Sequence, residues 1–191
     1  MFSKQNDEES KNQIQQILER VESLNDKLDP LGKKMLKKAL NQFYFEGIPL
    51  QESFGLKNDF TEGLYSYSYN LFKVGKYEDA LPLFEVLYTL NPMEIRYSFS
   101  IAACNHYLKK YTIAANKYME CILLDPTNPL LFFYLYDCFM NTEHPLSAYH
   151  AIQVALNLAK QDTKYMDLKE KIQLESEILE TKLQDYLKKN F

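Results

Sequence analysis

The segment GKYEDALPLFEVLYTLNP, residues 75–92, returns 34 residues later as KKYTIAANKYMECILLDP, residues 109–126. In that shift Tyr77 falls on Tyr111, Ala80 on Ala114, Phe84 on Tyr118, Leu90 on Leu124 and Pro92 on Pro126. A second shift of 34 reaches EHPLSAYHAIQVALNLAK, where Ala148 follows Ala114 and Ile152 follows Tyr118. The preceding half of each unit repeats more loosely, through Leu64, Ser98 and Phe132, then Tyr67, Ile101 and Leu135. A fixed period of this length means one small structural unit stacked on its own copies. With only 5 Gly and 7 Pro in 191 residues, and many Leu, Lys, Glu and Ala, the unit is helical.

The spacing says how such a unit packs. Small residues at Ala80, Ala114 and Ala148 let its two helices approach closely. Phe84, Tyr118 and Ile152 fill the gap to the next unit, and Pro92 and Pro126 end the second helix because proline cannot continue the hydrogen-bond ladder. One unit cannot bury its apolar face alone, so about three must stack. This pattern resembles the tetratricopeptide repeat. Three positions depart from it. Pro82 inside a second helix should distort its turn, Asn105 takes a place usually apolar, and Lys160 replaces a closing proline, so that helix is expected to run on toward Asp162.

The expected fold is an all-α tetratricopeptide-repeat solenoid with three central repeats over 61–160. Residues 1–30 form an N-terminal amphipathic arm, 31–60 a second helix and connector, and 161–191 a C-terminal capping helix. In the arm, Ile14, Ile17, Val21, Leu24 and Leu28 follow steps of 3 and 4, an apolar stripe. A lone helix of this length is marginal in water and must dock, on its own repeats or on a second copy as a dimerisation contact. The second helix, 31–46, should bury Leu31, Met35, Leu36, Ala39, Leu40 and Phe43. The capping helix, 164–189, should turn Tyr165, Leu168, Ile172, Leu179, Leu183 and Tyr186 inward and set Lys and acidic residues along its outer face.

Several function classes are excluded by composition and motif. A net charge of −4 argues against nucleic acid as main ligand, since phosphate contacts need a basic face. The five glycines are scattered singly, so no phosphate loop or dinucleotide fingerprint exists. His106, His144 and His150 lack metal-binding spacing, and Cys104, Cys121 and Cys138 read as small reduced core residues. No enzyme, metal or cofactor is expected. The polar start MFSKQNDEESKNQ lacks an apolar stretch and no run reaches a membrane span, so a soluble cytoplasmic protein is expected.

What stands out is 15 Tyr and 12 Phe. In repeats of this type the first helix of each unit lines a concave groove. Its inward positions here include Tyr65, Tyr69 and Phe72 in repeat one. Repeat two supplies Phe99, Ala103, His106 and Tyr107, and repeat three Leu130, Phe133 and Asp137. Any one aromatic could be core, but a whole set on one face suits a surface for an extended apolar peptide. Tyr65 and Tyr69 stand where carboxylate-gripping repeat proteins carry Lys and Asn, which argues against that class.

The stretches TEGLYSYSYNLFKVGKYEDALPLFEVLYTLNP, GIPLQESFGL, AACNHYLKKYTIAA and LYDCFM resemble the class II chaperones of bacterial type III secretion, the LcrH/SycD-like translocator chaperones. The likeness covers about 35–165. It implies a non-catalytic, ATP-independent chaperone of the bacterial cytoplasm. Its partners would be secreted hydrophobic translocators, bound through a Pro/Val-x-Leu-x-x-Pro segment, with a homodimer as a further association. Tyr65, Tyr69, Phe72, Phe99 and Tyr107 would form the pockets, with Phe133 and Asp137 toward one end. The alternative is a general scaffold joining folded partners.

Overall fold

The computed structural model describes residues 30–190, and every regular element among them is helical. They fall into two compact units divided at Glu62 and Gly63. In the first, Pro30 opens α1 (Pro30–Asn41), a position where its missing N–H costs nothing. A π-helical turn, Gln42–Glu46, follows, and Gly47 ends it with φ 68°. A short α2 (Leu50–Ser53) interrupts what the sequence suggested was a plain connector. Buried Gln51 fixes it by donating from Nε2 to Asn58 Oδ1 at 2.8 Å and to Thr61 Oγ1 at 3.4 Å. The expected burial of Leu31 and Met35 does not hold: they are 65% and 50% exposed, while Ala39 is buried.

The division falls within α3 (Asn58–Lys73). The second unit continues with α4 (Tyr77–Leu90), α5 (Ile95–Tyr107), α6 (Tyr111–Leu124), α7 (Pro129–Asn141), α8 (Pro145–Ala159) and α9 (Met166–Asn190). From α4 onward each helix packs on its successor, the nearest-neighbour stacking of a repeat array. Ala80, Ala114 and Ala148 are fully buried, as are Phe84, Tyr118 and Ile152. One core cluster joins Phe84, Leu87, Tyr97 and Ile101 to Leu64 and Leu71 of α3. A larger one runs from Ala102 to Leu179. Pro92 and Pro126 lie just past the ends of α4 and α6, as their inability to extend a helix requires.

The departures resolve individually. Helix α4 is continuous across Pro82, which lies at an exposed position. Asn105 is buried but satisfied, its Nδ2 donating to the Ile101 carbonyl at 2.9 Å. Helix α8 does not run on to Asp162. It ends at Ala159, and extended Asp162 instead caps a 3-10 turn, Thr163–Tyr165, by accepting from the Lys164 N–H at 3.0 Å. The Ile14–Leu28 stripe lies outside the described residues, as does the side chain of Tyr186.

The turn between the two helices of each unit is built the same way three times. Gly75, Lys109 and Glu143, spaced by 34, all have positive φ, at 80°, 59° and 60°. The N–H of the next residue then reaches back five positions: Lys76 to Leu71 at 3.0 Å, Lys110 to Asn105 at 2.8 Å and His144 to Phe139 at 3.0 Å. This is the Schellman closure of a helix end.

Candidate functional site: aromatic rings on the first helices of the repeats

Tyr65, Tyr69 and Phe72 follow one another at helical spacing on α3, so they share a face. Their rings form a run: Tyr65 to Tyr69 at 6.2 Å and Tyr69 to Phe72 at 6.3 Å, both nearly parallel. The run crosses to α5 where Phe72 meets Tyr107 edge-on at 5.4 Å, and Tyr107 stacks on Tyr77 at 4.7 Å. Tyr69 is 45% exposed and Tyr107 61%, although both rings are fixed by neighbours. Lys73 Nζ stands 5.6 Å over Tyr69. Tyr65 sits deeper, against Phe84 at 5.7 Å and Tyr97 at 5.9 Å, with the Arg96 guanidinium 5.0 Å over its ring.

The remaining expected residues form a second, less open group. Phe99 lies between Tyr118 and Tyr134, 5.9 Å from each, and those two stack at 5.3 Å. His106 turns its ring edge-on toward Tyr111, Tyr118 and Tyr134. Its Nε2 lies 2.6 Å from Asp137 Oδ2, tying α5 to α7. Burial raises the Tyr118 and Tyr134 hydroxyls above their ordinary pKa, so both stay protonated donors. Ala103 and Phe133 are mostly buried, and Leu130 is half-buried at the start of α7. The ring contacts therefore bring together Tyr65, Tyr69, Phe72 and Tyr107 as one surface, and Phe99, His106 and Asp137 as a partly covered neighbour.

Sequence reasoning missed two contributors. Tyr77 closes the first cluster, and the period could have found it. Its edge-on contact with Phe72 at 5.2 Å is repeated 34 residues on by Tyr111 against His106 at 5.5 Å. The second is α9, read as a cap with a charged outer face. Ile172 is buried in the same register as Cys104 and Cys138, all at 34-residue steps. Helix α9 thus stands as the first helix of a fourth unit. Lys171 and Glu175 accordingly sit against the third repeat: Lys171 Nζ is 5.0 Å over the Phe133 ring, and Glu175 accepts from the Tyr136 hydroxyl at 3.1 Å.

The cysteines are structural. All three are buried and unbridged, and burial pushes the Cys104 and Cys138 thiols up to about 12, keeping them protonated. Among the described residues no group of His, Cys, Asp and Glu is placed to hold a metal ion, and no helix is long and apolar enough to cross a membrane.

Known proteins resemble the chain in sequence and fold. The tetratricopeptide repeat family model matches residues 61–92. Low calcium response locus protein H of Yersinia pestis is 26% identical over 117 residues, 61% of this chain and 70% of that protein. A T3SS complex from Aeromonas hydrophila matches with a TM-score of 0.72 at 23% identity, over 76% of this chain and 97% of that one. PcrH, solved in complex with the chaperone binding region of PopD, matches with a TM-score of 0.65 at 26% identity, over 67% of this chain and 96% of that one. In repeat, sequence and fold the chain is thus similar to low calcium response locus protein H and PcrH, and in fold to the type III secretion translocator chaperone SycD.

Proposed function

We propose that the chain is a non-catalytic chaperone of the bacterial cytoplasm that holds secreted, hydrophobic translocator proteins before export. It lays an extended client segment of the Pro/Val-x-Leu-x-x-Pro kind along the rings of α3 and α5. The observation that carries this reading is the run Tyr65–Tyr69–Phe72–Tyr107–Tyr77, exposed at Tyr69 and Tyr107 yet held by ring contacts throughout. An exposed aromatic patch on a folded chain marks an interaction surface. Rings already fixed by their neighbours lose little freedom when a ligand arrives. PcrH bound to the chaperone binding region of PopD offers a parallel. Residues 61–160 act as the binding array and 161–191 close it. A second copy of the chain is a further proposed partner, through Ile14, Ile17, Val21, Leu24 and Leu28.

The test is purification from the native cytoplasm with identification of bound proteins. Secreted proteins carrying membrane-inserting apolar helices are expected. Recovery of soluble folded partners joined to one another would overturn the reading in favour of a scaffold.

A further inference from the structure

We infer that the groove continues past the third repeat onto α9 and ends in a subsite for a cationic side chain, arginine or lysine, of the bound segment. The inference rests on the groove reading above. A cavity of about 270 Å³, lined by Phe133, Tyr134, Tyr136, Asp137, Lys171 and Glu175, opens beside His106. It is small against the roughly 300–1,000 Å³ of small-molecule pockets and suits one long side chain. Its position follows from the repeat: Lys171 stands 34 residues beyond Asp137, the inward place of the preceding unit.

The chemistry favours a cation. Two carboxylates, Asp137 and Glu175, share the wall with three aromatic rings, of which Phe133 and Tyr136 stack at 5.9 Å. Carboxylates bind guanidinium and ammonium groups by charge-assisted hydrogen bonds, and ring faces attract the same cations. The His106 bond engages one Asp137 oxygen, Oδ2, and fixes the carboxylate in place. The chain itself already sets a cation here, because Lys171 Nζ lies 5.0 Å over the Phe133 ring. Lys171 is exposed, so its flexible stem can withdraw when a ligand cation takes the ring.

Calorimetric titration of the full chain tests this with a Pro-x-Leu-x-x-Pro peptide extended at either end by Gly-Gly-Arg, Gly-Gly-Gln or Gly-Gly-Glu. At one end the Arg peptide should bind about tenfold tighter than the Gln peptide, the scale of a partly desolvated cation–ring contact with a carboxylate partner. Asp137→Asn and Glu175→Gln should each reduce that preference, and Lys171→Ala, which removes the internal competitor, should widen it. Equal binding of Arg and Gln peptides at both ends would overturn the subsite. So would a preference that survives both carboxylate changes, since it would reflect only the net charge of −4. If no peptide binds, the unextended one included, the groove reading itself falls, and the subsite with it.

Discussion

At the scale of the residue, the turns at Gly75, Lys109 and Glu143 show how one backbone requirement outlives the residue best suited to it. All three are left-handed, yet only the first is glycine, and a Cβ built on Gly75 would meet nothing within 4 Å. The constraint there is dihedral and not spatial. A side chain in this region costs about 1 kcal/mol, part of which glycine returns as chain entropy. Lys109→Gly and Glu143→Gly should therefore each stabilise by about 0.5 kcal/mol, and together raise the thermal midpoint by about 3 °C. A fall in the midpoint would contradict this account of the turn. The glycine of repeat one was visible in GKYEDA, but Lys109 and Glu143 were not legible as turn residues, because nothing in their chemistry announces a positive φ.

At the scale of the element, what the sequence displayed was packing between helices and what it concealed was which face each helix turns to its neighbour. Alanine at 80, 114 and 148 is demanded by close approach, and any larger residue there collides. Ala114→Leu should cost about 2 kcal/mol by overpacking, a fall of about 6 °C in midpoint for a chain of this length. Ile113→Ala next to it, at a half-exposed site, should change stability by less than about 0.5 kcal/mol. Scanning calorimetry on the pair checks this, and equal effects would mean that Ala114 is not a contact point. By contrast, α9 carries Lys and Glu at places that read as solvent-facing, and only the register of Ile172 with Cys138 reveals that two of them meet the third repeat. The apolar pattern of α1 promised more burial than Leu31 and Met35 receive, because periodicity names a face without naming its partner.

At the scale of the whole molecule, the repeats act as a frame that holds aromatic rings at a surface where a lone chain would have hidden them. The period made the frame legible. Which rings are surface and which are core depends on neighbours from other repeats, and so appears only in three dimensions. Tyr65 and Phe99, inward by position, also brace Phe84, Tyr97, Tyr118 and Tyr134, so their truncation would disturb fold and binding together. Tyr69 and Tyr107 separate the two effects, being exposed and lying on different helices. The most direct measurement is calorimetric titration of a Pro/Val-x-Leu-x-x-Pro peptide into wild type and the Tyr69→Ala, Tyr107→Ala double variant, with the thermal midpoint of each recorded. Loss of two aromatic anchors at about 2 kcal/mol or more apiece predicts at least about 100-fold weaker binding, with the midpoint within a few degrees of wild type. Unchanged affinity in the double variant, or its unfolding, would contradict the assignment of these rings to a binding groove.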